Sequence, residues 1–379
     1  MENTLTLGVE NLIASPPDWK KSRIGLLTND GACVRTGEKS RVALVRAGFH
    51  VVRLFSPEHG IQANGMDGAS MPHQVDGLTS LPVISLYQDH QEAEDQHLQD
   101  LDLLLVDLPD VGTRFYTYLW TMTYFIEAAA RNGKPIVILD RPNPLGGDLS
   151  LCEGPDLHTS CRSFLGRYPM PITHQCTLGE LAKYFNLTLD WKANLSVVAC
   201  TWTRKQTFSQ WGRTWVNPSP ALGSEDAVRL YPGLCFLEAT NVSIGRNSPL
   251  SFRWIGHPGM KLAAWTWDYP ALSKALKVLG NNGEVISGLG LSPMEGFQFP
   301  VRFGLQLLYA LRRRFSETFS WASYPTQANP AGNRHLDLLT GLPSSQDLFD
   351  ADPSAFLVQL DMHLHTQWAE TISPHLLYR

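Results

Sequence analysis

Five short apolar runs within the first 145 residues, spaced by segments of helical character, constrain this chain more than any other feature. The runs are "RIGLLTN" (23–29), "HVVRLFS" (50–56), "LPVISLY" (81–87), "LDLLLVDL" (101–108) and "KPIVILD" (134–140). Each is nearly continuous in Leu, Ile or Val, the pattern of a strand covered on both faces. Between them, "GEKSRVALVRAG" (37–48) stops at Gly48, and "YLWTMTYFIEAAARNG" (118–133) closes on Arg131, Asn132 and Gly133, a good helix terminus. Strand, helix and strand in series predict an α/β fold built on an open parallel sheet.

In such sheets ligands bind beyond the carboxyl ends of the strands, near a switch point in strand order. The polar clusters fall there: Thr28-Asn29-Asp30, Ser56-Pro57-Glu58-His59, Asp107 through Asp110, and Asp140-Arg141-Pro142-Asn143. All four are expected to face one rim. No GxGxxG follows the first strand and no GxxxxGK[ST] occurs, so the dinucleotide and P-loop readings lose their support and no cofactor is expected.

A chain of 379 residues exceeds one ordinary core and predicts two domains with a cleft between them. The Pro- and Ser-rich "VNPSPALGS" (216–224) marks the boundary, giving domains 1–222 and 223–379. Before it, "TLGELAKYFN" (177–186) opens a helix with Thr177 and Glu180 at capping-box spacing, and "NLSVVACTW" (194–202) reads as a strand. After it, "LCFLEATNVSIGR" (234–246) reads as a strand ending in a polar cluster, and "FGLQLLYALRRRF" (303–315) as a helix, so the second domain is a smaller α+β unit.

The formal charge of −5 includes no basic block to neutralise a phosphate backbone, and nucleic acid is not expected as a partner. No apolar run approaches the roughly 20 residues that span a bilayer, so membrane insertion is not expected. The start "MENTLTLGVENLIASPPDW" lacks a basic n-region and apolar h-region, so a cytoplasmic location is expected. The six cysteines are scattered without a CxxC pair and are expected to be buried free thiols.

Among single residues, Glu58 is the sharpest candidate. Held between Pro57 and Gly60 at a strand end, its carboxyl group is either a turn residue or a half-desolvated general acid, with His59 beside it. "DLPDVGTRFYTYLW" (107–120) gathers Asp107, Asp110, Arg114, Tyr116 and Tyr118. Arg114 there is either a fork for a substrate carboxylate or half of a structural ion pair. "LDRPNPLGGD" (139–148) fixes Arg141 and Asn143 between prolines and glycines, and "LCEGPDL" (151–157) places Glu153 in a Gly-Pro turn. Glycosidases use two carboxyl groups about 5–5.5 Å apart for retention or roughly 6.5–9.5 Å for inversion. Glu58 and Glu153 are either such a pair, or Glu153 is a solvated turn residue. His174 in "PMPITHQCTLGE" and Asn241 and Arg246 in "EATNVSIGRN" complete the polar candidates. The nearest metal-like grouping, His59, His73 and Asp76, matches no ligand spacing, and no metal is expected.

Taken in order, "GLLTND", "SPEHG", "LPVISLY", "DVGTRFYTY", "LDRPNPLGG", "EGP", "TLGELA", "NPSP", "YPGLCFLEATNVSIGR" and the terminal "LLYR" resemble the NamZ family of exo-β-N-acetylmuramidases over essentially the whole chain. The resemblance implies a Rossmann-like N-terminal catalytic domain, a smaller C-terminal auxiliary domain and an active site in the cleft between them. It implies removal of β-1,4-linked N-acetylmuramic acid from the non-reducing end of peptidoglycan fragments, without nucleotide or known metal. The partner is then a muramic-acid-containing saccharide or muropeptide. Glu58 of "SPEHG" becomes the catalytic acid/base and Glu153 of "EGP" a second carboxylate. Arg114, Arg141 or Arg246 would pair with the lactyl carboxylate. Asn29, His59, Asp107, Asp110, Tyr116, Asn143, His174, Asn217 of "NPSP" and Asn241 become substrate-binding candidates. The chain departs from the family in carrying Ile244 in place of an acidic residue, Asn247 in place of glycine, Pro109 in place of glutamine, "HQCT" in place of His-Gly-Met-Thr, and a less acidic "IQANGMDGA" after Gly60. A non-catalytic saccharide-binding descendant and a metal-assisted hydrolase are the competing readings.

Overall fold

The computed structural model describes residues 5–88, 91–265, 271–279, 285–327, 329–352, 354–356 and 366–379. Its centre is a seven-stranded sheet with the order β3-β4-β2-β1-β5-β6-β7. The strands are β1 (Ile24–Thr28), β2 (Val51–Ser56), β3 (Gln74–Val75), β4 (Pro82–Ser85), β5 (Leu103–Asp107), β6 (Ile136–Leu139) and β7 (Leu195–Val198). All pairings are parallel except β3 with β4. The five apolar runs and "NLSVVACTW" each contain one of these strands. Strands β1, β5 and β6 are buried at every position, as continuous apolar runs require when both faces are covered.

Helices α1 (Gly8–Ala14), α2 (Ser40–Arg46), α3 (Tyr118–Arg131) and α4 (Leu178–Thr188) accompany the sheet. Helix α3 buries residues all round and ends at Asn132 and Gly133, the latter in the left-handed region. Helix α4 starts on the expected capping box: the Thr177 hydroxyl accepts from Glu180 N, and Glu180 accepts from Thr177 N.

Beyond the sheet come α5 (Glu225–Leu234), a 3-10 turn at Cys235–Ala239, the strands β8 (Trp254–Gly256), β9 (Ala271–Leu279) and β10 (Val285–Pro293), which form a three-stranded antiparallel sheet of order β8-β10-β9, and α6 (Pro300–Arg314). Here the expected strand over 234–246 is corrected. "LCFLEA" continues the helical path of α5, and α5 crosses α6 where Gly233 meets Gly304. A Cβ on Gly233 would lie 2.1 Å from Pro300 O, so only glycine permits that approach. One hydrophobic core runs from β5 and α3 through α5 and α6, so the parts on either side of residue 222 share an interior. The terminal residues return to the first part, with the Tyr378 hydroxyl donating to Asp140 Oδ2 at 2.5 Å and Leu377 N to Glu180 Oε1 at 3.0 Å. All six cysteines are free and buried. Among the described residues no helix is long and apolar enough to cross a membrane.

Candidate active site

Strand register builds the site. Ser56 of β2 pairs with Ser85 of β4, so the chains leave the sheet level with one another and bring Glu58 beside Tyr87. The turn after β2 is tight: Gly60 N donates to Pro57 O at 3.0 Å, and His59 adopts a φ of 67°, a left-handed value uncommon outside glycine. His59 Nδ1 is 2.9 Å from Gly65 O, which fixes the ring. Glu58, only 5% exposed, accepts from Gly68 N at 2.9 Å and from the Thr117 hydroxyl at 2.6 Å. Thr117 stands at the N-cap of α3, yet its side chain serves Glu58 rather than the helix. Gly68 has φ +66° and lies against Thr326, whose Cβ would be 2.9 Å from a Cβ at 68, so the loop after Glu58 closes directly onto the C-terminal part.

A narrow pocket of about 50 Å³ opens at that closure. Glu58, His59, Tyr87 and Tyr116 line it from the sheet side, and Asp67, Glu238, Arg246, Tyr324 and His335 from the loop and C-terminal side. One ligand oxygen or nitrogen from each of Glu58, His59 and Asp67 lies within 4.8 Å of the others. Asp67 accepts from the Tyr324 hydroxyl at 2.7 Å and sits 3.4 Å from Arg246 Nη1. Arg246 donates from Nε to Glu238 Oε1 at 2.8 Å, a bond doubled by Nη2. Burial alone would raise the Glu238 carboxyl. The Arg246 charge and the His335 ring outweigh it and bring the group down to about 2. Burial, reinforced by the Glu58 carboxylate, pushes the Tyr87 phenol well up, so it remains a proton donor.

The other sequence candidates lie elsewhere. Glu153 does not line the pocket: its Oε2 accepts from Val301 N at 3.0 Å and Oε1 from Arg302 N at 2.9 Å, capping the first turn of α6. Arg114 is wholly buried, and neither a substrate fork nor an ion pair is what occupies it. It donates to the carbonyls of Pro155, Met170 and Leu339. Arg141 is held by Asp107 through Nε at 2.6 Å and Nη2 at 2.9 Å. Asn29 donates to Tyr118 Oη and Pro218 O, Asn143 to Cys176 O, and Asn241 to Thr318 O, each tying one loop to another. Buried His174 accepts from Cys176 N and lies 3.5 Å from Asp110, while Asn217 is exposed beside Pro218. The single rim expected from four strand ends is thus divided. The end of β2 feeds the pocket, and the ends of β1, β5 and β6 feed a second cavity containing Asp110 and Arg141. Ile244 is 4% exposed in the shared core, so its lack of charge does not reach the pocket wall.

Fold and site together define a two-part α/β protein in which buried Glu58 and exposed Asp67 approach each other in a pocket that the C-terminal part also lines, an arrangement suited to acid-base chemistry on a bound sugar. The chain belongs to the NamZ family. The N-terminal domain profile of exo-β-N-acetylmuramidase NamZ matches residues 24–226, and the C-terminal domain profile matches residues 229–378. The chain is 40% identical over 344 residues to the peptidoglycan β-N-acetylmuramidase NamZ of Bacillus subtilis (strain 168), covering 86% of this chain and 82% of that protein. Crystal structures of two DUF1343 family proteins from Bacteroides fragilis NCTC 9343 share the fold. One has a TM-score of 0.83 at 23% identity, covering 99% of each chain. The other has 0.75 at 25%, covering 100% of this chain and 99% of that one.

Proposed function

We propose that the protein is an exo-acting glycosidase that removes β-1,4-linked N-acetylmuramic acid from the non-reducing end of peptidoglycan fragments. The observation that carries this reading is the approach of Glu58 and Asp67, two carboxylates within 4.8 Å by ligand oxygen, in a pocket of a family member. Glu58, fixed by Gly68 N and Thr117, donates its proton to the leaving oxygen. Asp67 is the second carboxylate in place of Glu153. Its short separation suits direct stabilisation of the anomeric centre, whereas water activation in inverting enzymes needs about 6.5–9.5 Å. Of the three candidate arginines only Arg246 lines the pocket, and it is assigned to the lactyl carboxylate. A chromogenic β-N-acetylmuraminide is expected to release its chromophore with the intact protein. Undiminished release by Glu58→Gln would remove Glu58 from the mechanism.

A second reading has one specific observation behind it, because Glu58, His59 and Asp67 could together hold a metal ion. Metal-assisted hydrolysis requires turnover to vanish on dialysis against a chelator and to return with a divalent cation. The glycosidase reading expects no change.

A further inference from the structure

The strand order changes direction between β1 and β5, the place where open α/β sheets usually bind ligands, yet the catalytic pocket sits at β2 and β4. The switch-point crevice opens instead into a separate cavity of about 330 Å³. Gly31 follows β1 into its wall, Pro109 and Asp110 follow β5, and Arg141 follows β6, while the segment 208–218 covers the far side. We propose that this cavity is a second saccharide site, for a pyranose that carries a carboxylate.

Three features point to that ligand. The cover presents Phe208, Trp211 and Trp215, with Phe208 edge-on to both indoles at 5.0 and 4.8 Å between ring centroids. Flat aromatic walls with a polar end suit the C–H faces of a sugar ring. The wall also contains unmatched polar atoms of both kinds. The Asp110 side chain is 6% exposed, and its Oδ1 has no donor, while Trp211 Nε1 and Arg213 Nε have no acceptor. The lining residues thus include both donors and acceptors, and a sugar hydroxyl, being donor and acceptor at once, can pair with either kind. Finally, Arg141 and Arg213 are neutralised by Asp107 and Glu10, but the exposed Arg35 guanidinium makes no ion pair or hydrogen bond among the described residues. It is the cation available to a ligand carboxylate.

The two sites are neighbours. Pro218 lines the cavity and Ser219 the catalytic pocket, so one loop separates them. Holding a glycan segment here would keep its end near the pocket and raise its effective concentration there. The choice of a muramic-acid-type sugar rests on the proposed activity, whereas the cavity's polyol and carboxylate chemistry does not.

The test is titration of the intact protein with N-acetylmuramic acid, following tryptophan fluorescence and calorimetric heat, with N-acetylglucosamine as the uncharged control. A saturable fluorescence change is expected with the acid. It should weaken at least tenfold in Arg35→Ala and in Trp215→Ala, while hydrolysis of the chromogenic glycoside stays at the wild-type rate in Arg35→Ala. Exposed Arg35 can be replaced without disturbing the core, so that variant decides even if Trp215→Ala misfolds. Absence of binding, or binding unchanged by Arg35→Ala, overturns the proposal. Equal affinity for N-acetylglucosamine overturns its carboxylate part. Binding that depends on Arg35, seen in a protein with no glycosidase activity, would leave the cavity assignment standing and remove the proposed function instead.

Discussion

Glu58 and Glu153 arise from similar sequence contexts and reach different ends. Each lies in a turn with Pro and Gly close by, each follows an apolar run, and they are buried alike, at 5% and 7% exposure. Glu153 is occupied by backbone: its oxygens accept from Val301 N and Arg302 N in the first turn of α6. Glu58 is held by one backbone N–H and one hydroxyl, and it lines a pocket shared with another carboxylate. Burial therefore does not separate the proposed catalytic acid from a glutamate that caps a helix; what the oxygens touch does.

The largest expected difference between the two is catalytic. Glu58→Gln keeps the shape and the bond to Gly68 N but removes the transferable proton, and kcat/KM should fall about 10²- to 10⁴-fold with Tm little changed. Asp67→Asn should lower kcat about 10²-fold, as expected on losing a charge that faces the transition state. A steady-state comparison with Glu153→Gln, expected within a few-fold of wild type, would break the contrast if the two glutamates behaved alike.

Stability should separate them in the opposite sense. Glu153→Ala removes the carboxylate that accepts from Val301 N and Arg302 N and should cost about 1–3 kcal/mol in urea unfolding, with the folded fraction still active. A destabilisation matched by Glu58→Gln would contradict the division of roles.

A smaller effect concerns pH. The folded-state Glu238 carboxyl lies near 2, below its ordinary value of 4.5. Its unfolded form binds protons first, so its contribution to stability is complete above about 4.5 and is lost as pH falls toward 2. Glu238→Gln should flatten the acid limb of the stability profile in that window and lower stability by a constant amount above about pH 5, the two proteins converging toward pH 2.

Much of the sheet was legible because buried parallel strands are written as continuous apolar runs, and α4 was legible because a capping box is local. The site was less so. Glu58 and Tyr87 sit at the ends of runs that were read as strands, but Asp67 and Glu238 depend on contacts across the chain. The "MDGA" turn offered a signal for Asp67, as an acid beside a glycine close after Glu58, whereas Glu238 was concealed by reading "LCFLEA" as a strand. Arg114 misled because a guanidinium suggests an acidic partner, and three carbonyls serve it instead. Asn247, at a position where the resemblance implies a glycine, has a φ of 63°, a left-handed turn that asparagine tolerates.

The central claim is that Glu58, and not Glu153, is the acid. Its most direct test is to incubate the disaccharide N-acetylmuramyl-β-1,4-N-acetylglucosamine with wild type, Glu58→Gln and Glu153→Gln and to follow both sugars by NMR. Free N-acetylmuramic acid should appear with wild type and Glu153→Gln and be lost at least a hundredfold with Glu58→Gln. Cleavage retained by Glu58→Gln and lost in a folded Glu153→Gln would contradict it.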